Sequence, residues 1–465
     1  MASTKRFISN IGFYALGTFA TKILQFLFIP IYSKYIIPTD LGTYNLILAV
    51  VSLMIPILFQ SIWEGTFRFS IEQGDNGREV IATSSKYCFS LAFVYSISFI
   101  IISYVFNYKY GLYVLLYALG QMGTSYWQFA ARALKENKIY AVSTVVHSGV
   151  SILMNLILIL VFHLGLEALL IANISGSFAM IIILEKRIRL ISDINKYPFN
   201  KALLRNIIKY SLPLAINMIS WWLMSSCNNL IITKTLGVGE NGIYAIALKF
   251  GTLLSIVTSI ITMAWQEEAF RSHGEKDQDS YFNKVLNILI KGLLGATLIL
   301  VPVTYIIYNY FVFGEYKKGV ILVAFIYMSA VYNAISCHLG SALLARKESS
   351  IMFWTTLLGG TTAVLASVLL INYIGLLGAA IGTAIGNMFN FFVRIPILRK
   401  RIDLRVCYGH LICLTILVTI ECFICFNVKY NISILFSIVF LGILISGFAN
   451  KDLIRTLIYK FKRMK

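Results

Sequence analysis

Gly42-Thr43-Tyr44-Asn45-Leu46-Ile47-Leu48-Ala49-Val50-Val51-Ser52-Leu53 returns later in the chain as Gly242-Ile243-Tyr244-Ala245-Ile246-Ala247-Leu248-Lys249-Phe250-Gly251-Thr252-Leu253, at an offset of 200 residues. Gly165-Leu166 through Gly176 is echoed by Gly375-Leu376 through Gly386, and Lys135-Glu136 by Lys347-Glu348, at offsets of 210 and 212. One such match in apolar, low-diversity sequence carries little weight. Three in the same order are the signature of an internal duplication.

The duplicated pieces lie in a series of apolar stretches, each near the 20 or so helical residues that cross a bilayer. Fourteen are read: 7–32, 41–66, 86–106, 110–131, 140–162, 164–184, 206–233, 241–266, 285–309, 319–344, 351–371, 374–397, 406–427 and 431–449. The repeat therefore advances by six spans, an even number, so both halves share one orientation as parallel repeats related by an axis along the membrane normal. Residues 1–185 and 206–400 form two six-helix lobes, joined by a basic cytoplasmic linker at 186–205. Residues 401–465 supply an appended helix pair and a basic tail. Apolar residues at 203, 204, 207 and 208, with bases between them, suit a helix lying on the inner surface.

Orientation follows from the basic residues. With both termini in the cytoplasm, 31 of the 40 Lys and Arg fall in inner segments, from Lys5 and Arg6 to the cluster between Lys451 and Lys465. Only Lys34, Lys109, Lys234, Lys317, Lys318 and Lys429 lie outside, and Lys22, Lys249 and Lys291 lie within spans. Shifting the topology by one span inverts that ratio, so the positive-inside bias assigns N-in and C-in. It also accounts for the formal charge of +20 without nucleic acid, since the bases are scattered through short loops rather than gathered on one domain. A composition of 58% hydrophobic and 13% charged residues leaves too little polar surface for a soluble globule of this size. The first apolar run is too long for a cleaved signal sequence and Pro30-Ile31-Tyr32 offers no small-residue cleavage site, so it reads as a retained first helix. The seven cysteines sit in or beside apolar spans, the Cys422/Cys425 pair lacks the further His or Cys partners that a metal site needs, and all read as small buried hydrophobes. No metal, cofactor or nucleotide-binding motif is apparent.

Ionisable groups inside spans are functional candidates, because a charge at the bilayer centre costs roughly 2.5–3.5 kcal/mol on insertion scales. Lys22 lies about 16 Å from the outer end of the first span at 1.5 Å per residue, close to the midplane, where it suits a phosphate contact. Lys249 sits about 12 Å in from the outer end of the eighth span and faces the same task from the other lobe. Lys291, near the inner end of its span, reads as a snorkelling lysine. Glu64 and Arg68 stand four apart near the inner end of the second span, so they share a face and are expected to pair, as an interfacial ion pair or a gate. The seventh span is unusually polar, with Trp221, Trp222, Asn228 and Asn229 among its residues. Indoles and amides suit sugar recognition, yet amides also join helices to one another.

Ser33-Lys34-Tyr35-Ile36-Ile37-Pro38-Thr39-Asp40-Leu41-Gly42-Thr43-Tyr44, Ser211-Leu212-Pro213-Leu214 and Leu236-Gly237 through Lys249-Phe250 resemble the corresponding regions of the polysaccharide transporter (O-antigen flippase) family. That family is part of the superfamily holding multidrug and toxin exporters and the lipid II flippase. The resemblance runs over roughly residues 5–400 and identifies the family better than the member. It implies a V-shaped, all-α membrane bundle that moves undecaprenyl-pyrophosphate-linked oligosaccharide across the bacterial cytoplasmic membrane by alternating access, for O-antigen, lipopolysaccharide, capsule or exopolysaccharide assembly. Membrane lipids, a polysaccharide polymerase, a chain-length regulator and a coupling ion, H+ or Na+, are the implied partners. Many relatives carry an acidic residue where this chain has Cys227-Asn228-Asn229, which puts a coupling role for that site in question. A drug or cation exporter is the alternative, disfavoured by the lysines. A glycan polymerase or ligase needs a large outer loop with Arg or His, a need that His163 alone does not meet.

Overall fold

The computed structural model describes residues 26–271, 278–346, 348–428 and 431–451. They form an all-α fold, with seventeen α-helices and two short 3-10 stretches among the described residues. Within a bilayer every backbone N–H and C=O must be satisfied inside its own segment, and helices do this without a partner strand.

The first helices are α1 (Ile29–Tyr35), α2 (Pro38–Leu58), α3 (Ile62–Glu72), α4 (Gly77–Val105), α5 (Gly111–Ala133), α6 (Asn137–Leu160), α7 (Leu166–Ile188), α8 (Leu190–Lys196) and α9 (Lys201–Ser225). There follow α10 (Cys227–Thr235), α11 (Val238–Arg271), α12 (Gln278–Phe311), α13 (Val323–Ala345), α14 (Ser349–Ile374), α15 (Leu376–Arg399), α16 (Tyr408–Val428) and α17 (Ile432–Ala449). Ten helical stretches among the described residues are long and apolar enough to cross a membrane. Of the other four expected spans, the first lies largely outside the described residues, 110–131 is the more polar α5, 241–266 is part of α11, and 206–233 is interrupted.

Two expected spans are broken. The stretch 41–66 becomes α2 and α3, because Pro56 withdraws a backbone donor near the end of α2 and Gln60 and Ser61 then take positive φ values of 55° and 45°. The stretch 206–233 breaks at Ser226 into α9 and α10. The linker also differs from expectation. Lys201–Lys209 is not a separate surface helix but the first turns of α9.

The described residues group into two compact units, the first made of 43–222 and the second of 26–42 together with 223 onward. The boundaries fall inside helices, at Gly42–Thr43 in α2 and Trp222–Leu223 in α9.

In the first unit, α8 is pinned to the start of α4. Arg78 bonds to Asp193, Lys196 reaches the same carboxylate at 3.2 Å, and Lys86 Nζ donates to the Tyr197 carbonyl at 2.7 Å. The linker is thereby fixed at its middle. A second tie joins α9 to α3, where the Gly65 N–H donates to Ser211 Oγ at 3.0 Å.

In the second unit, Arg394 on α15 differs most from its sequence assignment. Counted as an inner-loop base, it is only 1% exposed. Its guanidinium donates to the Ser336 carbonyl (2.6 Å) and hydroxyl (3.0 Å) on α13 and to Thr355 (3.0 Å) and Thr356 (2.9 Å) on α14. A fork of fixed donors can hold three helices at once, which a lysine cannot.

The appended pair is held by a ladder of side chains. Asn283 on α12 donates to the Asp403 carbonyl (2.6 Å) and accepts from the Arg405 N–H (2.9 Å), and Asn287 donates to the Arg405 carbonyl (3.1 Å) and accepts from the Cys407 N–H (2.9 Å). Asp279 accepts from the Asp403 N–H at 3.0 Å. Four helical residues rise about 6 Å and two extended residues about 6.6 Å, so positions 279, 283 and 287 can match 403, 405 and 407. Beyond the ladder, α16 and α17 pack on α12.

Arg394→Lys keeps the charge and loses the fork. It should lower stability by about 2 kcal/mol or more, as expected when hydrogen bonds to a buried charged group are removed, seen as a lower unfolding temperature of the purified protein in detergent. An unchanged transition would mean that the clamp contributes little.

Candidate functional site

The second unit carries the candidate cation. α11 starts where α2 starts, and their first turns cross at the two duplicated glycines. A Cβ on Gly42 would lie 1.8 Å from the Val238 carbonyl oxygen, and one on Gly242 would lie 2.0 Å from the Pro38 carbonyl oxygen. Only glycine allows so close an approach. The contact is reciprocal, since each glycine faces the backbone four residues before the other, and Asn241 Nδ2 adds a hydrogen bond to the Gly42 carbonyl at 2.9 Å.

Three turns into α11, Lys249 places its ammonium 5.0 Å from the centre of the Tyr32 ring on α1. Ring faces attract cations, and more strongly where water is excluded. The neighbouring Phe250 is buried between Phe26 (centroids 5.2 Å apart, edge-on) and Tyr308 (4.9 Å). Among the described residues Lys249 has no carboxylate within ion-pair distance, so its charge is free of a fixed counter-ion. Lys22, its expected counterpart, lies outside the described residues.

The seventh-span polar groups divide by use. Asn228, on α10, donates to the Ala379 carbonyl (2.9 Å) and the Thr383 hydroxyl (2.6 Å) of α15, and Asn229 donates to the Ser226 carbonyl (3.1 Å) at the helix break. Trp222 Nε1, in the first unit, donates to the Ala49 carbonyl of α2 at 2.7 Å. These three polar groups join or cap helices, whereas Trp221 is half-buried. Asn387 extends the amide chemistry of the second unit by bonding Asn333 (3.0 Å) and Ser329 (2.9 Å) on α13. Sequence reasoning passed over Asn333 and Asn387, although amides inside apolar spans are a visible signal.

In the first unit Arg68 does not pair with Glu64. It bonds to Glu72 at 2.8 Å and lies 4.7 Å from the centre of the Tyr210 ring. The pair is half exposed on both sides. Both acids lie four residues from Arg68, and Tyr210 favours the rotamer that points toward Glu72. Arg132, treated as a loop base in the sequence, is the cation that bears on Glu64. Its guanidinium is 4.8 Å from the Phe67 ring and 5.3 Å from Phe129. Phe129, three residues earlier on α5, was the signal for it. Among the described residues, no group of three or more His, Cys, Asp or Glu gathers as a metal site would require.

Residues 7–266 match the family model described as "polysaccharide biosynthesis protein". The chain belongs to that family. No curated protein matches this chain. Among solved structures it is similar to "Lipid II flippase MurJ, inward closed conformation", with a TM-score of 0.68 and 15% identity over 95% of this chain and 99% of that one. It is also similar to an inward-facing multidrug resistance MATE family transporter of the MOP superfamily, with a TM-score of 0.67 and 17% identity over 82% of this chain and 94% of that one. An outward-facing structure of such a transporter gives 0.60 and 14% identity over 85% and 95%. These likenesses establish the fold that this chain shares with both groups.

The geometry separates two sorts of substitution. Asn228→Ala removes two interhelical hydrogen bonds and should cost about 1 kcal/mol, lowering the unfolding temperature. Arg68→Ala removes an exposed pair and should leave that temperature unchanged. A large drop for Arg68→Ala in the same thermal scan would assign it a structural role.

Proposed function

We propose that this chain is a flippase that carries undecaprenyl-pyrophosphate-linked oligosaccharide repeat units across the bacterial cytoplasmic membrane, for O-antigen, capsule or exopolysaccharide assembly. The observation that carries this reading is the polysaccharide biosynthesis family match over residues 7–266. Lys249 supports it, as an ammonium about 12 Å into the span read at 241–266 with no ion-pair partner among the described residues.

Desolvating a glycan and a pyrophosphate in hydrocarbon costs several kcal/mol for each polar group, so the task is to supply a hydrated, cationic path while the lipid tail stays in the bilayer. In this reading the chain makes fourteen crossings with both termini in the cytoplasm. Lys22 and Lys249 receive the phosphates. Glu64 and Arg68 contact headgroups where the path opens inward, and Trp221 offers a stacking surface to sugar, with Trp222, Asn228 and Asn229 holding the polar span around it. No bond of the substrate is made or broken, and an H+ or Na+ gradient drives the cycle. A polymerase and a chain-length regulator act on the product.

The second reading is a multidrug exporter, favoured by the TM-score of 0.67 to a transporter of that kind. Organic cations prefer acidic walls, which the ammonium of Lys249, with no carboxylate beside it among the described residues, opposes.

The test deletes the gene in its host and restores it as wild type, Lys22→Ala, Lys249→Ala or Lys249→Arg. Deletion should abolish surface glycan and leave lipid-linked repeat units on the inner leaflet. Lys249→Ala and Lys22→Ala should fail to restore it at normal membrane levels, and Lys249→Arg should restore part. Unaltered glycan with changed drug susceptibility supports the exporter, and unpolymerised repeat units on the outer leaflet support a polymerase.

A further inference from the structure

A cleft of about 350 Å³ lies in the first unit among α2, α4 and the turn from α4 into α5. Ile47, Val50 and Val51 wall it on one side and Phe99, Ile102 and Phe106 on the other. All of these residues belong to the first unit, so its shape does not depend on the second. Its floor, at Ile47, Val51 and Val114, is buried, whereas Ile102 and Phe106 at its edge are exposed together with Ile100, Ile101 and Val105 beside them. The cleft therefore opens sideways onto the apolar surface of α4.

The turn at its rim is fixed by backbone hydrogen bonds. The Tyr108 N–H donates to the Ser103 carbonyl at 2.9 Å and the Gly111 N–H to the Tyr108 carbonyl at 3.0 Å, while Asn107 takes a φ of 48°. That turn sets the Tyr108 and Tyr110 ring centroids 6.3 Å apart. Lys109 Nζ stands 4.9 Å from the Tyr110 ring and 3.8 Å from the Glu167 carboxylate on α7, with its side chain 77% exposed. Tyr104, in the last turn of α4, is 86% exposed.

We propose that this cleft receives the polyprenyl chain of the translocated glycolipid, with the lipid phosphate at Lys109 and the first sugars against Tyr104 and Tyr108. This rests on the flippase reading given above. With both termini inside, α2 begins and α4 ends at the outer face, so the cleft lies in the leaflet where the product arrives. Its volume is that of a small-ligand site, and apolar walls give water no partners, so hydrocarbon fills it. From Phe99 to Phe106 the wall is about 10 Å long at 1.5 Å per residue, which accommodates only the part of the chain next to the headgroup. Apolar cleft, cation and exposed rings follow one another outward in the order isoprenoid, phosphate, sugar. A phospholipid offers a chain and a phosphate but no ring for the tyrosines.

Photolabelling tests the site. Purified protein in vesicles of phosphatidylethanolamine and phosphatidylglycerol is irradiated with a polyprenyl phosphate that carries a diazirine in its first isoprene units, and labelled residues are read by mass spectrometry. Label should concentrate on residues 46–51 and 99–106, and undecaprenyl phosphate should displace it where added phosphatidylglycerol does not. Val50→Trp, from an exposed position, fills the cleft and should abolish the label, whereas Leu112→Trp, exposed outside the cleft, should leave it. Lys109→Ala should weaken displacement by undecaprenyl phosphate about tenfold, as for loss of a hydrogen bond to a charged group. If Val50→Trp lowers the unfolding temperature, Ile102→Trp blocks the cleft from the opposite wall. Equal displacement by phosphatidylglycerol would make this a phospholipid site and overturn the proposal. Label spread evenly over the exposed residues of α4, or unchanged by a tryptophan in the cleft, overturns it as well. Failure of the flippase reading is distinct, because the wild-type gene then restores no surface glycan to the deletion strain whatever the labelling.

Discussion

Backbone packing at Gly42 and Gly242 is the contact on which the placement of the candidate cation depends. With no side chains between them, the first turns of α2 and α11 approach until each glycine meets the other helix's carbonyl. The turn that leads into α2 is thereby drawn down onto α11, and Tyr32 arrives over Lys249. Any Cβ at either glycine would push the two helices apart and lift the ring from the ammonium. Both copies of the Gly-x-Tyr motif are thus used in one contact.

Around that contact, the polar interior of the second unit follows a single economy of donors. A cation buried away from acids is tolerable only if every N–H finds an oxygen. Arg394 meets this with carbonyls and hydroxyls from two neighbouring helices. Asn228 and Asn387 do the same on a smaller scale, their amides bridging α10 to α15 and α15 to α13. Lys249 is the exception among the described residues, with the Tyr32 ring in place of oxygen partners.

Much of the fold was legible because the bilayer imposes it. Length and hydropathy locate helices. What escaped was set by geometry that hydropathy does not encode. Gln60 and Ser61 take positive φ beside Pro56, and nothing in their polarity announces a break inside an apolar run. Glu64 and Glu72 are equally spaced from Arg68, and only the position of Tyr210, from a distant helix, decides between them. Arg394 looked like a loop base because arginine is rare in hydrocarbon, while its partners Ser336, Thr355 and Thr356 are inconspicuous one at a time. The candidate site was legible where charge met hydrophobicity, at Lys249. It was ambiguous where amides serve packing and recognition alike.

The amide ladder between α12 and residues 403–407 constrains evolution in an uneven way. Asn283 and Asn287 read only backbone groups, so almost any side chain can occupy the linker at no cost to the ladder. Its length has no such freedom. Removing or adding one residue between 403 and 407 presents the wrong donor or acceptor to every rung beyond it and turns the following helix out of phase with α12. Linker composition is therefore held by the burial of Ile402 and Leu404 rather than by the ladder, whereas residue count is held by the ladder itself.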